Sequence, residues 1–289
     1  IERKIKDFGK NNSDYIKKYI MNHCSHQRLT NNQVFVICIF FESLLDKRLI
    51  GYDELLILKK IVQKNKNFIE NKLKDHFLFY FMLQIISANN KYLKIWNIVL
   101  NNIKKQQIEL ELGSLNINYR DLQIIIKIIL LNNNLRTLNL ALNHIKRLPP
   151  EIGKLYNLIH LDLTLNDLEC LPCEIENLYK LKHLILGQNN FKIVPLCIWK
   201  LNKLELLILS FNKLKHLSKK IGIFKNLRLL SLQNNKLKKL PLSMRQLKNL
   251  EYININNNND LPADLRGFYC NDKEKIKLWL DEKFKENHD

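Results

Sequence analysis

A pattern of 23 residues recurs without insertion or deletion from Leu135 to Asn249. Each copy begins at a leucine, and its fourth and sixth positions are apolar, as Leu138 and Leu140 are in the first copy. Such alternation predicts a short strand with one buried face. One copy cannot bury that face alone, so the copies are expected to stack into a curved parallel sheet. Repeats one to six begin at Leu135, Leu158, Leu181, Leu204, Leu227 and Leu250.

Position nine of every repeat is asparagine. An amide group both donates and accepts hydrogen bonds, so a stacked column of asparagines can satisfy backbone groups that a tight bend leaves unpaired. A proline at position fifteen, replaced in repeat four by Ser218, predicts an irregular return limb behind the sheet. The column, called the asparagine ladder, comprises Asn143, Asn166, Asn189, Asn212, Asn235 and Asn258.

These repeats resemble the leucine-rich repeat, in the form of 23 residues that many intracellular proteins contain. The segment before them places Leu110 and Leu112 28 residues ahead of their counterparts in repeat one. That longer unit is similar to the ribonuclease-inhibitor type, whose return limb is a helix, predicted here from Asp121 to Leu131. The expected fold class is therefore α/β, a leucine-rich repeat solenoid of about seven repeats with helical ends.

Three regions are predicted along the chain: an N-terminal helical domain over residues 1–106, the solenoid over 107–268, and a capping segment over 269–289. The first region lacks the repeat, and helices are predicted near residues 30–46, 52–64, 68–87 and 91–105. It either covers the first strand edge of the solenoid or forms a separate docking or oligomerisation module. In the last region, Asp272 is expected to cap a helix whose apolar side contains Ile276, Trp279, Leu280 and Phe284.

Composition narrows the class of protein. The formal charge of +19 is divided almost equally between the two halves of the chain, which by itself is typical of a soluble, basic protein. The longest apolar runs, Val34–Phe41 and Phe77–Leu83, are shorter than the roughly 18 residues that span a bilayer. Six cysteines without ordered spacing favour a reducing compartment. We therefore expect a cytoplasmic protein, or one in the host cytosol if it is a secreted effector.

The sequence offers little for catalysis or a cofactor. Its seven glycines are too far apart to form a phosphate-binding loop, and no hydrolase, zinc-protease or kinase signature occurs. Cys170 and Cys173 have the spacing of a redox pair, but they lie on a return limb and not at the start of a helix in a βαβ unit. The prediction is a protein that is not an enzyme and has no cofactor and no small-molecule substrate.

A candidate binding surface comes from the strand residues that alternate with the buried leucines. Positions three, five and eight of adjacent repeats are expected about 5 Å apart on the concave face of the sheet. Six apolar and aromatic residues there form what we call the concave patch: Ile185, Leu206, Ile208, Phe211, Leu229 and Tyr252. Polar neighbours His160, Asp162, His183 and Ser231 complete the predicted protein-binding face. Such a patch usually marks an interaction site, although covering helices would also explain it.

Two alternatives concern other residue types. His160, Asp162 and His183 have the side chains and the proximity of a metal site, but polar contacts to a partner are the preferred interpretation and no metal is predicted. Lysines just past the asparagine ladder form a second surface, which we call the basic edge: Lys213, Lys215, Lys236, Lys238 and Lys239. A row of lysines suits nucleic acid, anionic membrane or an acidic protein.

The functional prediction is a scaffold or regulator that binds another protein through the concave face. The resemblance implies partners such as small GTPases, phosphatases or components of the ubiquitin system. One alternative is an electrostatic binder of nucleic acid or anionic membrane through the basic edge. The abundance of lysine and asparagine also suits a host-directed effector or signalling regulator of a parasite or intracellular bacterium.

Overall fold

A computed structural model describes residues 60–61, 90–130, 132 and 134–284. The described residues fall into two compact units. One contains those of Gln107–Leu122 and Asn133–Asp289, and the other contains those of Ile1–Gln106 and Gln123–Asn132. The helices predicted near residues 30–46, 52–64 and 68–87, like the two longest apolar runs, lie outside the described residues apart from residues 60–61, which are helical. None of the helices in the described part of the chain has the length and apolar character needed to span a bilayer.

The larger unit is built on one sheet of eight strands that lie in sequence order. Strands β1 to β7 pair in parallel and β8 pairs antiparallel with β7. The seven parallel strands confirm the predicted solenoid. The strands are β1 (Glu109–Glu111), β2 (Thr137–Asn139), β3 (His160–Asp162), β4 (His183–Ile185), β5 (Leu206–Ile208), β6 (Leu229–Ser231), β7 (Tyr252–Asn254) and β8 (Tyr269–Cys270).

The leucines at positions four and six form the core of this unit. The middle residue of each strand from β2 to β7 is almost completely buried, and so is the apolar residue two positions later. The return limbs each contain a short 3-10 segment, at Pro150–Lys154, Cys173–Asn177, Leu196–Lys200, Lys219–Ile223 and Leu242–Gln246. In repeat four the Ser218 side chain accepts a hydrogen bond from the Lys220 amide, so it caps the segment that proline precedes elsewhere.

The asparagine ladder joins each repeat to the one before it. The Asn189 Nδ2 donates to the carbonyls of Leu186 and Gly187 in its own repeat at 3.2 and 3.1 Å, and to the Leu163 carbonyl of repeat two at 2.8 Å. Its Oδ1 accepts from the Leu168 amide at 3.0 Å. The same set of bonds recurs at Asn166, Asn212, Asn235 and Asn258. Asn143 extends it to the first unit of the solenoid by accepting from Leu115 and Ile117.

The residue at position nineteen sets how closely neighbouring return limbs pack. A Cβ atom added at Gly153 in repeat one would lie 2.3 Å from the Glu174 carbonyl oxygen, and one at Gly222 in repeat four would lie 2.6 Å from the Ser243 carbonyl oxygen. In repeat three the same position is Trp199, which is buried and stacks on Phe224 with 5.4 Å between ring centroids. The return limbs are thus tightly packed where position nineteen is glycine, and an indole is inserted between repeats three and four.

Two helices that the structure describes from end to end precede the regular repeats. Helix α1 (Asn90–Lys105) matches the helix predicted over residues 91–105 and buries Ile95, Val99 and Ile103. Helix α2 (Tyr119–Ile129) begins two residues before the predicted start at Asp121. The reason is a reciprocal cap, since Asn118 Oδ1 accepts from the Asp121 amide at 3.1 Å and Asp121 Oδ2 accepts from the Asn118 amide at 3.2 Å.

The sheet ends in a strand that the sequence analysis did not predict. Strand β8 pairs with β7, and the Ile255 amide donates to the Phe268 carbonyl at 3.0 Å. Helix α3 (Lys273–Lys283) follows, with Asp272 accepting hydrogen bonds from the amides of Glu274 and Lys275 as expected of its cap. The apolar residues predicted on one side of this helix are all buried: Ile276, Trp279, Leu280 and Phe284.

Candidate functional site on the concave face

The sheet brings the strand residues of the concave patch into adjacent columns. Leu206 pairs with Leu229, and Leu229 pairs with Tyr252. Two residues farther along the strands, Ile185 pairs with Ile208. All five side chains are half-buried, because each is covered by its neighbours on one side and open to solvent on the other. They form a continuous apolar surface across β4 to β7.

Phe211 is the sixth residue of the concave patch and differs from the rest. Its side chain is 46% exposed, and its backbone adopts a left-handed conformation with φ of +53°. Non-glycine residues other than asparagine and aspartate adopt this conformation at a cost of roughly 1–2 kcal/mol. The left-handed residues at position eight are Leu142, Leu165, Gln188, Phe211, Asn234 and Asn257. Repeats five and six thus carry the residue type that suits the backbone, whereas repeat four carries an exposed aromatic.

The structure adds Tyr269 of β8 to this surface. Its ring meets that of Tyr252 edge to face, with 5.5 Å between centroids, and it remains 50% exposed. Tyr269 cannot be predicted from the sequence, because a strand of two residues gives no periodic signal. An aromatic pair therefore ends the concave patch on the side of the C-terminal cap.

One residue of the predicted binding face is buried, and two exposed leucines lie outside that face. Ser231 was predicted to contribute to the binding face, but it is only 6% exposed, because the neighbouring strands cover it. Leu142 and Leu165 were left out of the patch, yet both are exposed on neighbouring repeats at position eight. They form a smaller apolar pair in repeats one and two, separated from Phe211 by Gln188.

The polar residues of repeats two and three pair with one another. His160 and His183 meet edge to face with 4.2 Å between ring centroids. Burial, and then the neighbouring His160, lower the pKa of His183. Asp162 is oriented toward its own strand end, where Oδ1 accepts from the Thr164 amide at 2.8 Å and from the Thr164 hydroxyl at 2.6 Å. The described residues contain no group of three side chains able to hold a metal ion.

The five lysines of the basic edge are all exposed, and none forms an ion pair with a described residue. The backbone fixes their spacing, since the Lys236 amide donates to the Leu214 carbonyl at 2.9 Å and the Lys238 amide to the Lys215 carbonyl at 3.2 Å. In repeats one and two the corresponding positions hold His144 and Asp167, with 3.7 Å between Nδ1 and Oδ2. Repeat one also has basic residues at positions twelve and thirteen, Lys146 and Arg147, but Asp167 and Glu169 interrupt the row in repeat two.

Comparison with known proteins identifies the repeat. A family model described as "Leucine rich repeat" matches residues 133–191, and a second, "Leucine Rich repeats (2 copies)", matches residues 225–269. Both matched segments lie on the parallel sheet and its asparagine ladder. The chain is a leucine-rich repeat protein.

Solved structures similar to this leucine-rich repeat protein come from plants and bacteria. The plant peptide hormone receptor RGFR1 in complex with RGF2 is 33% identical over 51% of this chain and 24% of the receptor, with a TM-score of 0.45. A leucine-rich repeat protein of Leptospira interrogans is 25% identical over 56% of this chain and 57% of its own length, with a TM-score of 0.36. The chain therefore spans less than two thirds of either protein. A comparison with curated protein sequences finds no match.

Three of the cysteines that the structure describes in this leucine-rich repeat protein lie on two neighbouring return limbs. Cys170 and Cys173 are free and exposed on the return limb of repeat two. The nearby Cys197 is buried, and this burial raises the pKa of its thiol to about 11. A thiol with so high a pKa is protonated at neutral pH and is a poor nucleophile.

Proposed function

We propose that the chain binds a polypeptide partner through the concave patch and acts as a scaffold or regulator. Leucine-rich repeats generally serve as binding scaffolds, and the two family matches extend that expectation to this chain. The proposed binding site is a half-buried aliphatic surface from β4 to β7, with Phe211 at its edge and Tyr269 at its end.

Phe211 is the observation that carries the proposal. An exposed aromatic side chain in a left-handed backbone costs stability twice, through backbone strain and through apolar surface left in water. Asparagine at the same position would avoid both costs, as it does in repeats five and six. Leu142 is equally strained and exposed, so what distinguishes Phe211 is its aromatic ring beside the aliphatic concave patch, and this supports a role in recognition.

The composition of the face supports a polypeptide partner. Its centre is aliphatic and aromatic, and its margin at position eight is polar, with Gln188, Asn234 and Asn257. Protein interfaces have this arrangement of an apolar centre within a polar rim, and aromatic residues are common among their binding hot spots. The partner is therefore expected to present aliphatic or aromatic side chains, as a helix or an extended segment.

The test compares two identical substitutions at equivalent positions. Phe211→Asn removes the aromatic from the patch, and Leu142→Asn makes the same change in repeat one, where the backbone is also left-handed and the residue also exposed. Relief of backbone strain should leave both variants at least as stable as the parent chain in urea unfolding, by roughly 1 kcal/mol. Only Phe211→Asn should lose the partner.

Partners are obtained by selecting peptides from a random display library on the parent chain and by affinity capture from lysate at two salt concentrations. Ligands that bind the parent chain and the Leu142→Asn variant equally, and the Phe211→Asn variant at least about tenfold more weakly, would support the proposal. Ligands that bind all three chains equally would contradict it. Unfolding of the Phe211→Asn variant would show that Phe211 belongs to the core.

A cytoplasmic location, or delivery to a host cytosol as an effector, stays a prediction of the sequence alone. Binding without catalysis is likewise proposed, on the general use of leucine-rich repeats as binding scaffolds.

A further inference from the structure

The basic residues of the regular repeats are concentrated in one half of them. Repeats three to five, residues 181–249, contain 15 lysines and arginines and a single acidic residue, Glu205. Repeats one and two, residues 135–180, contain five basic and six acidic residues. Glu205 is already paired with Lys182, with 2.6 Å between Oε1 and Nζ. Repeat one has four basic residues and one acidic, and repeat two has one basic and five acidic, so the net charge changes from −4 in repeat two to strongly positive in repeats three to five.

Many of these charges lie on one side of the repeats. Three more exposed lysines, at positions twelve, sixteen and seventeen, continue the basic edge onto the return limb: Lys192, Lys219 and Lys220. Together with the basic edge they form what we call the cationic surface, and none of its eight side chains forms an ion pair within the described chain. Their charges are therefore available to an anionic partner.

Large aliphatic side chains project from the cationic surface. Ile193 directly follows Lys192 and is 61% exposed, and Leu196, at the start of the next 3-10 segment, is 72% exposed. Leu242 occupies the same position as Leu196 two repeats later and is also exposed. Lys219 has this position in the repeat between them. At position sixteen the exposed residue is thus aliphatic, lysine and aliphatic in repeats three, four and five.

We propose that the cationic surface docks on an anionic lipid membrane, with the lysines at the headgroups and Ile193, Leu196 and Leu242 entering the interface. Anionic lipids attract clustered lysines, and the attraction falls off within a Debye length. Aliphatic residues beside such lysines add apolar burial, which salt does not screen, as in proteins that lie on a membrane surface.

The aliphatic side chains also argue for lipid over nucleic acid. Single-stranded nucleic acid is held by aromatic side chains on which bases stack, whereas the most exposed apolar side chains beside these lysines, Ile193, Leu196 and Leu242, are aliphatic. The exposed tyrosines Tyr156 and Tyr179 lie at position twenty-two, near the strand starts and in the nearly neutral repeats, where their rings stack at 6.5 Å. Exposed leucine and isoleucine add nothing to phosphate contacts in water, whereas they insert readily between lipid headgroups.

The experiment measures cosedimentation of the full chain with vesicles at physiological salt. Vesicles of phosphatidylcholine alone are compared with vesicles of equal parts phosphatidylcholine and phosphatidylserine. The charge variant is Lys213→Glu with Lys236→Glu on the cationic surface. Its matched control, Lys203→Glu with Lys225→Glu, makes the same change in net charge at exposed positions twenty-three and twenty-two. The apolar variant is Ile193→Asn with Leu196→Asn. Circular dichroism melting verifies that each variant is folded, and glutamine replaces glutamate in any that is not.

The expected result is binding to the phosphatidylserine vesicles only. The charge variant should bind at least about tenfold more weakly, its matched control within about twofold of the parent chain, and the apolar variant about tenfold more weakly. Equal losses of vesicle binding in the charge variant and its matched control would show that only the net charge of the chain matters, and would overturn the proposal. Vesicle binding unaffected by the apolar variant would overturn it too, as would binding to single-stranded RNA that persists at salt concentrations that release the vesicles.

Discussion

Repeats one and two and repeats three to five share one backbone and present different surfaces. Both contain the same strand pairing and the same hydrogen bonds from the asparagine ladder. Their return limbs differ, since Gly153 permits close packing in repeat one and Trp199 fills the space in repeat three. Their charged residues differ as well, because those of repeats one and two are of both signs and those of repeats three to five are almost all basic. The strand residues on the concave face are polar in repeats one and two, whereas in the later repeats they form the aliphatic centre of the concave patch. The positions that make the fold are thus separate from those that distinguish its regions.

The largest expected effect concerns Trp199, which has no counterpart in repeat one. Trp199→Ala removes a buried ring that stacks on Phe224 and should destabilise the chain by about 3–5 kcal/mol in urea unfolding. Trp199→Phe keeps an aromatic ring in the space, and since Nε1 has no hydrogen-bond partner in the described structure, it should cost less than half as much. Equal losses in the two variants would show that something other than stacking holds repeats three and four together.

The asparagine ladder should be equally important in both regions. Asn166→Ala and Asn189→Ala each remove a side chain that bonds three carbonyls and one amide. Each change leaves buried backbone groups unpaired and should cost about 3 kcal/mol or more, measured as the shift in unfolding free energy. Asn202→Ala, at an exposed position, is the control and should be nearly neutral. A marked difference between the two ladder variants would break the equivalence of the repeats.

The period of 23 residues predicted the strands, the ladder and the buried leucines, because each of these depends on residues that recur. The remaining features depend on single residues that do not. The left-handed backbone at position eight is not predicted by Leu142, Leu165 or Phe211, because these residue types rarely adopt it. Only the asparagines of repeats five and six suggest it. The burial of Ser231 and the pairing of β8 result from neighbours that are distant in sequence. The placement of the concave patch follows from the period, whereas its partner stays a prediction.

The close packing at Gly153 allows a test in repeats one and two. Gly153→Ala would place a methyl group 2.3 Å from the Glu174 carbonyl oxygen, so the two return limbs must separate. We expect a loss of about 1–3 kcal/mol in thermal or urea unfolding. At an unstrained position the same substitution usually stabilises a protein by roughly 0.4–1 kcal/mol, because it restricts the unfolded chain. A stabilised Gly153→Ala variant would therefore show that the return limbs of repeats one and two are not in close contact.

The smallest effect concerns the histidine pair at the junction of repeats two and three. The pKa of His183 is lowered, chiefly by burial and then by His160, so the neutral form is favoured in the folded chain. Its contribution to stability is complete above the ordinary pKa of 6.5 and is lost as the pH falls below that value. His183→Gln should therefore flatten the decrease in melting temperature between neutral and mildly acidic pH. A decrease as steep as in the parent chain would mean that His183 titrates alike in the folded and unfolded states.

Strand β8 makes the C-terminal end of the sheet different from the rest of it, so repeats cannot be added equally well at every point. It runs against the other seven strands and joins the sheet to α3, so it marks a fixed end. Each ladder asparagine, in contrast, completes the bend of the repeat before it, as Asn258 does for the Leu237 amide. A duplicated unit placed after repeat four would find a matching bend on either side, whereas one placed after β7 would have a parallel neighbour in β7 and the antiparallel β8 on its other side. Such a chain can be lengthened in whole units from within, but a unit inserted after repeat four would lie between Leu206 and Leu229 and would divide both the concave patch and the row of lysines.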